Sequence, residues 1–209
     1  PKEIALLREY VSSGGFIYAE AACRSKEFDA SFKELIAAMY PQGEAKLKPL
    51  PPEHAVYRSE FPLDPATVEL WGVDVGCRTS IIYSPNDWSC LWDKWTSFEV
   101  PRRKVELVSM IDKANRVGVN VIAYATGREL VNKLDQQEQA NLEGDKDRVA
   151  RGLIEIAKIR HTGGWDAAPQ AIRNLMLALN KTSGAVGNTK GVPKPAVPTN
   201  QTPQRVVSH

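Results

Sequence analysis

The sequence lacks the long apolar run that a membrane-spanning helix requires. No stretch of the 209 residues approaches the roughly 20 consecutive apolar residues that cross a bilayer. The first residues also lack the charged segment and apolar run of a signal peptide. They read Pro1-Lys2-Glu3 with no Met, which predicts a fragment of a longer parent protein. We therefore expect no membrane contact by this fragment itself.

Cysteine is scarce, and its spacing excludes the common cysteine frameworks. The three cysteines, Cys23, Cys77 and Cys90, form no C-x-x-C pair, which argues against a zinc site and against a disulfide framework. Cys77 and Cys90 lie at opposite ends of a predicted strand, about 20 Å apart, so they cannot pair with each other. Each thiol is predicted to be a small buried hydrophobe. We expect no metal and no cofactor.

Positive charge is not concentrated either. The formal net charge is +2, and the four basic residues of 181–209 are well spaced. This pattern does not form the basic stripe of a nucleic-acid binder. The glycine-rich phosphate loops G-x-G-x-x-G and G-x-x-x-x-G-K-[ST] are absent as well. The chain is therefore not expected to bind nucleic acid or a nucleotide through such a loop.

What the sequence does contain is an alternation of strand and helix patterns. Helices are predicted at 3–12, at 29–39 with Asp29 as N-cap, from 105 to Gly118, at 127–134 and at about 168–180. Strands are predicted at 15–20, 119–125 and 153–160, and a hairpin at 68–84 turns at Gly76-Cys77. Such an alternation predicts an α/β fold with a mostly parallel sheet that helices cover on both faces.

The richest stretch follows the second hairpin strand and contains three tryptophans, Trp88, Trp92 and Trp95. Ligands of α/β sheets bind at the carboxyl ends of the strands. Three loops leave predicted strand ends, at 20–29, 84–95 and 161–169, so we expect them to crowd one rim.

Several side chains of these loops are candidates for a site. Asn86 and Asp87 could coordinate a ligand through oxygen, and the alternative is that they cap or turn the backbone. Glu20, Cys23 and Asp87 are the catalytic candidates, against a salt bridge for Glu20 and a packed thiol for Cys23. Indoles beside carboxylates suit sugar rings or cations. The predicted ligand-binding set is Asn86, Asp87, Trp88, Trp92, His161 and Trp165.

An ordered series of motifs also resembles a known family. The motifs are Leu7-Arg8-Glu9-Tyr10-Val11-x-x-Gly14-Gly15-Phe16, Phe28-Asp29-x-Ser31-Phe32, Leu50-Pro51-x-x-His54-x-Val56-Tyr57, Ile82-Tyr83-Ser84-Pro85-Asn86-Asp87 and Gly118-Val119-Asn120-Val121-Ile122-Ala123-Tyr124-Ala125. Over about residues 3–134 they resemble the bacterial domain-of-unknown-function family 4159. The resemblance implies a flavodoxin-like three-layer sandwich of the class I glutamine amidotransferase-like superfamily, here with a β-hairpin insertion. It also implies a bacterial envelope or periplasmic protein with no assigned activity.

The resemblance does not extend to catalysis. Enzymes of that superfamily hold a Cys nucleophile in a Gly-x-Cys-x-Gly elbow, with His and Glu completing the triad. Here Ala19-Glu20-Ala21-Ala22-Cys23-Arg24 has no flanking glycine, and a sharp elbow needs residues that tolerate a positive φ. Glutaminase activity is not expected.

The carboxyl-terminal part resembles the start of a second copy of the same domain. The residues are Ile156-Ala157-Lys158-Ile159-Arg160-His161-x-Gly163-Gly164-Trp165-Asp166-x-x-Pro169. We therefore predict a domain lacking its first strand at 1–134, a linker or solvated helix at 135–152, a strand–loop–helix unit at 153–180 that completes the sheet of the first copy, and a disordered tail at 181–209.

Two functions follow as hypotheses. The first is a non-catalytic binding or scaffold domain of a bacterial envelope-associated protein, with a small polar or carbohydrate ligand or a protein partner. The alternative is a hydrolase or transferase that acts on such a ligand with Glu20, Cys23 or Asp87.

Overall fold

The computed structural model describes residues 2–96, 102–127, 154–161, 163–182 and 205–207. Its helices are α1 (Lys2–Ser12), α2 (Lys26–Met39), α3 (Ser89–Asp93), α4 (Val105–Ala125) and α5 (Ala171–Thr182). Its strands are β1 (Ile17–Glu20), β2 (Lys48–Pro49), β3 (Trp71–Val75), β4 (Arg78–Ser84), β5 (Glu155–Ala157) and β6 (Arg205–Val207). Among these residues, no helix combines the length and apolar character that a membrane span needs.

The main sheet is mixed, whereas the sequence predicted a mostly parallel one. Its strand order is β1-β4-β3-β2. Strands β1 and β4 run parallel, while β4–β3 and β3–β2 are antiparallel pairs. The predicted hairpin forms β3 and β4, with Gly76 at φ 64° in the turn between them. The hairpin makes the β3–β4 pair antiparallel, and β2 adds a second antiparallel pair, so among the described strands of this sheet only β1 and β4 pair in parallel.

Apolar side chains of the sheet alternate between its two faces. Ile81 and Tyr83 belong to a cluster with Phe32 and Ile36 of α2, whereas Ile82 belongs to a second cluster with residues of α3, α4 and α5. Neighbouring strand residues point to opposite faces, so helices pack against both sides of this α/β sheet.

Helix α4 overturns one prediction. The sequence pattern predicted a helix that ends at Gly118 and a strand over 119–125. In the structure, Val105–Ala125 is one helix. Its second half is buried almost all round, and a short, fully buried helical segment has the same apolar pattern as a buried strand. Gly118 is not a helix terminator here. A Cβ at this position would lie 2.5 Å from Leu175 Cδ1 and 2.9 Å from Trp92 Cζ2, so the glycine permits close packing with α3 and α5.

Asn120, on the same helix, anchors the loop before β3. Its side-chain nitrogen donates to the carbonyls of Val56 and Phe61, both at 2.8 Å, and its Oδ1 accepts the Phe61 N–H at 2.8 Å. Buried amides persist where all their hydrogen bonds are made, which accounts for a polar residue at 0 % exposure.

Helix α2 begins earlier than predicted. Its N-cap is Ser25, whose hydroxyl accepts the Phe28 N–H at 3.1 Å. Asp29, predicted as the cap, instead accepts the Tyr83 hydroxyl at 2.8 Å and pairs with Lys33.

The residues after 153 pack on the main body through a helix. Leu175, Met176 and Leu179 of α5 are buried in the cluster that contains Trp92 and Val117. The Asn174 side-chain nitrogen donates to the carbonyls of Trp92 and Asp93, both at 3.0 Å.

Strand β5 does not extend the four-stranded sheet. It pairs antiparallel with β6, so the predicted completion of the sheet is not formed by the described strands. The tail predicted to be disordered at 181–209 contributes the end of α5 and all of β6. Its other residues, and the predicted linker at 135–152, lie outside the described residues.

Candidate functional site

The carboxyl ends of β1 and β4 lie side by side. Glu20 and Ser84, the last residue of each strand, are register partners, and the Ala21 N–H donates to the Ser84 carbonyl at 3.0 Å. The loop that carries Cys23 and the loop that carries Asp87 therefore leave the sheet next to each other.

The turn after β1 is sharp although it contains no glycine. Cys23 has φ 55° and Arg24 φ 56°, a left-handed conformation that costs a residue with a side chain about 1–3 kcal/mol. We expected a sharp turn to need small residues that tolerate a positive φ, and Cys23 and Arg24 adopt one without being glycine. Part of the cost is offset by the Asp87 carboxylate, whose Oδ2 accepts the Cys23 N–H at 2.8 Å.

Asp87 ties this turn to the start of α3. Its other oxygen, Oδ1, accepts the Cys90 N–H at 3.1 Å and lies 3.5 Å from the Ser89 hydroxyl. One carboxylate thus bonds backbone groups of two loops. This is the capping role that the sequence analysis left open as the alternative to ligand binding.

Glu20 is a second carboxylate that bridges the same loops. Its Oε1 accepts the Ser89 N–H at 2.9 Å, and its Oε2 accepts the Tyr18 hydroxyl at 3.0 Å. Burial raises the pKa of Glu20, the bonds from Ser89 and Tyr18 lower it, and the Asp87 charge raises it again. The net direction is upward because burial has the largest effect. The structure therefore brings the three catalytic candidates Glu20, Cys23 and Asp87 to one place.

The structure adds a residue that the sequence analysis did not place in the site. One ligand-capable atom each from Cys23, Asp87 and Cys90 lie within 4.8 Å of one another. Burial raises the pKa of the Cys90 thiol to about 12, followed in effect by the hydrogen bond and charge of Asp87 and then by Cys23. This thiol is therefore protonated at neutral pH in the absence of a cation.

The sequence excluded a pairing of Cys77 with Cys90 but did not predict that Cys90 lies near Cys23. Cys77 is exposed and is not part of the group formed by Cys23, Asp87 and Cys90. A signal for the pairing of Cys23 with Cys90 was present. Cys23 follows β1 and Cys90 follows β4, each within a few residues. Because β1 and β4 pair in parallel, their carboxyl ends meet at one rim.

Two of the three indoles of the tryptophan-rich loop, those of Trp88 and Trp92, lie in the core. Trp88 is 7 % exposed and donates to the Ser84 hydroxyl at 2.9 Å, and Trp92 is 3 % exposed and donates to the Ala114 carbonyl at 2.7 Å. They were predicted to wall a ligand pocket. The structure places both rings in the apolar cluster between the sheet, α4 and α5, because each N–H finds a partner inside.

The third loop reaches the neighbourhood of α2. His161 is exposed, its ring centroid lies 6.2 Å from that of Phe28, and its Nδ1 accepts the Gly163 N–H. Trp165 has the cations of Lys158 and Arg160 over its ring at 5.2 and 5.5 Å. Of the predicted ligand-binding set, Asn86 is partly buried beside Asp87, and its N–H donates to the Ser84 hydroxyl at 3.1 Å.

A shallow groove lies beside the Cys23 turn. It has a volume of about 260 Å³, and its lining includes Arg24, Lys26, Asp29, Lys33, Glu69 and Trp71. The Trp71 N–H donates to Glu69 Oε1 at 2.8 Å, and the Lys33 ammonium stands 5.6 Å from the centre of the Trp71 ring. The groove thus combines both signs of charge with one indole.

Comparison with known proteins gives a family without an assigned activity. A family model described as "Domain of unknown function (DUF4159)" matches residues 1–126, more than half of the chain. No curated protein matches the chain.

Proposed function

The chain belongs to the family described as "Domain of unknown function (DUF4159)", and we propose that it is a non-catalytic domain that binds a small polar or carbohydrate ligand at the rim formed by the ends of β1 and β4. The family resemblance supports a place for it in a bacterial envelope-associated protein. The amidotransferase-like, three-layer arrangement belongs to the same proposal, supported by the helices on both faces of the sheet.

One observation carries the non-catalytic assignment: both rim carboxylates are engaged by backbone N–H groups of the neighbouring loop. Asp87 holds the N–H groups of Cys23 and Cys90, and Glu20 holds that of Ser89. A general base must be within hydrogen-bond reach of the proton it takes. Here each oxygen of Asp87 and Glu20 already accepts a hydrogen bond that fixes the shape of the rim.

The two histidines that the structure describes, His54 and His161, make their hydrogen bonds to groups other than Cys23. His54 Nε2 contacts the Thr79 hydroxyl at 3.1 Å and its Nδ1 accepts the Val56 N–H, while His161 Nδ1 accepts the Gly163 N–H. A cysteine nucleophile needs an adjacent base. Among the described contacts, the Asp87 carboxylate accepts the backbone N–H of Cys23, and none places an imidazole at the Cys23 sulfur.

The groove beside Cys23 supplies the binding surface. Indole faces and paired charges suit polar rings and zwitterions. Trp71 lines the groove with an apolar indole face. The NMR signal of its indole N–H is sensitive to a ligand bound nearby.

Hydrolysis or group transfer is the second candidate function. Glu20, whose pKa is raised chiefly by burial, lies near Asp87, whose charge raises it further, and a carboxyl group with a raised pKa can act as a general acid.

An activity assay separates these two functions. The full chain would be assayed with p-nitrophenyl acetate, p-nitrophenyl N-acetyl-β-glucosaminide and L-glutamine, alongside C23A and E20Q. We expect equal background rates for all three proteins. Turnover by the wild-type chain that C23A or E20Q removes would establish the enzyme instead.

A binding assay tests the groove. Chitobiose and L-glutamate at millimolar concentration would be added to the ¹⁵N-labelled chain, with the Trp71 indole N–H as the reporter and the buried Trp92 indole as the internal control. Shifts at Trp71 alone are expected. No shift with either probe would contradict binding of these two ligand classes.

The second-copy assignment of 153–180 remains part of the proposal. Its support is the motif series there and the packing of α5 on the first unit through Asn174 and Leu175.

A further inference from the structure

We propose that Cys23, Asp87 and Cys90 form a binding site for a thiophilic divalent cation of the Zn²⁺ class. The inference rests on the proposed binding role of this rim and names a ligand class for it. Neither the family description nor the spacing of the cysteines in the sequence indicates such a site.

The distances suit a metal of this size. One donor atom from each residue lies within 4.8 Å of the other two. Around a tetrahedral zinc, bonds of about 2.3 Å to sulfur and about 2.0–2.2 Å to oxygen put the donors roughly 3.5–3.8 Å apart. The donor atoms therefore need to approach one another by at most about 1.3 Å to reach this tetrahedral spacing.

The backbone already holds two of the donors in position. Cys23 is fixed by its left-handed turn and by the 2.8 Å bond from its N–H to Asp87 Oδ2. Cys90 is the second residue of α3, and its N–H bonds Asp87 Oδ1. Metal-binding side chains are usually oriented by such outer hydrogen bonds. A carboxylate oxygen has two lone pairs, and among the described contacts Asp87 Oδ2 accepts only the Cys23 N–H, so its second lone pair can bind a metal.

A metal site would also explain the strained backbone at the rim. Cys23 and Arg24 both adopt positive φ without being glycine. Strain of this kind persists where the surroundings enforce it and is concentrated at ligand sites. Here the turn brings Cys23 to the place where Asp87 and Cys90 meet.

The donor set selects the metal class. Two sulfurs and one carboxylate favour Zn²⁺, Co²⁺ or Cd²⁺ over Mg²⁺ and Ca²⁺, which prefer oxygen alone. On binding, two metal–sulfur bonds and one metal–oxygen bond form, and the two thiols release two protons to solvent. Because Cys23 is exposed, the fourth position faces solvent, where a water molecule or a donor atom of a ligand completes the tetrahedron.

Cobalt titration of the full, reduced chain tests the site. We expect one Co²⁺ per chain, with thiolate-to-cobalt charge-transfer absorption and the intense visible bands of tetrahedral cobalt, and bleaching of both by Zn²⁺. C23S and C90S, which change one atom each, should each weaken cobalt binding by at least about tenfold. C77S is the matched control, because Cys77 is exposed at the hairpin turn outside the cluster, and it should bind cobalt as the wild type does. Circular dichroism of each variant establishes that it is folded.

Three results would overturn the proposal. They are the absence of charge-transfer absorption in the reduced chain, equal loss of binding in C77S and C23S, and a Cys23–Cys90 disulfide that forms in air while the reduced pair binds no cobalt. Failure of the cobalt titration would leave two other proposals untouched, ligand binding in the groove and the absence of catalysis. Enzymatic turnover in the assays above would overturn the non-catalytic function whatever the cobalt titration shows.

Discussion

At the scale of single residues, the rim is organised by two carboxylates that accept backbone N–H groups across loops. Such charge-assisted bonds are stronger than neutral ones, and here they span 64 residues between Cys23 and Asp87 and 69 between Glu20 and Ser89. The geometry of the Cys23 turn therefore depends on the loop that follows β4.

The substitution D87N tests this dependence. Asp87 bonds the N–H of Cys23 with one oxygen and that of Cys90 with the other, and an amide keeps only one acceptor oxygen. We expect a loss of about 1.5–3 kcal/mol in the free energy of unfolding, measured with urea. The control D112N removes an ion pair with Arg116 on the surface of α4 and should cost less than about 0.5 kcal/mol. Equal stabilities of the two variants would contradict the bridging role.

The raised pKa of Glu20 predicts that the stability of the folded chain depends on pH in a defined direction. Its pKa in the folded chain is raised above the ordinary value of 4.5, chiefly by burial. The folded state therefore binds its proton more tightly than the unfolded state, and this contribution to stability is lost as the pH rises from about 4.5 through the raised pKa. E20Q keeps a neutral side chain, so its stability relative to the wild type should increase over that window. Urea unfolding of both proteins at several pH values between 4 and 8 measures the difference, and a constant difference would contradict the raised pKa.

At the scale of elements, the close packing of α3, α4 and α5 depends on Gly118. The substitution G118A adds a methyl group that would meet Leu175 at 2.5 Å and Trp92 at 2.9 Å. Overpacking of this kind costs about 1–3 kcal/mol, which outweighs the gain of about 1 kcal/mol in helix propensity. We expect a net loss of stability in thermal or urea unfolding.

Two further variants check this expectation. S109A lies on an exposed position of the same helix and should be neutral or slightly stabilising. In an L175A background the added methyl has room, so G118A should cost less there than in the wild type. Equal costs in both backgrounds would mean that contact with α5 is not the cause.

At the scale of the whole molecule, the residues after 153 contribute to the core of the preceding unit, although the family match ends at 126. Leu175, Met176 and Leu179 are buried against α3 and α4. We expect a chain that ends at residue 127 to lose more than about 3 kcal/mol of stability, since burying one such side chain contributes about 1.5–3 kcal/mol. A chain that ends at residue 182 keeps α5 and should stay close to the full chain in urea. Similar midpoints for the chain ending at 127 and the full chain would show that α5 is dispensable.

The sequence by itself determined the elements whose signals are local. Apolar periodicity predicted the helix before Gly14, and turn residues predicted the hairpin at Gly76. The sequence also predicted that the loops after parallel strands share one rim, and the pairing of β1 with β4 places two of them there. Glu20 ends β1, and Cys23 and Asp87 follow the ends of β1 and β4 within a few residues, so their convergence was also predictable, and the fold brings them together.

Only the tertiary structure decided the rest, because it depends on contacts between distant residues. The run 119–125 became helix because α3, α5 and the loop at 56–61 enclose it, and its apolar pattern fits helix and strand equally well. Trp88 and Trp92 entered the core because Ser84 and Ala114 accept their N–H groups there. Cys90 lies beside Cys23 because Asp87 bonds the backbone of both, a contact that depends on the pairing of β1 with the distant β4.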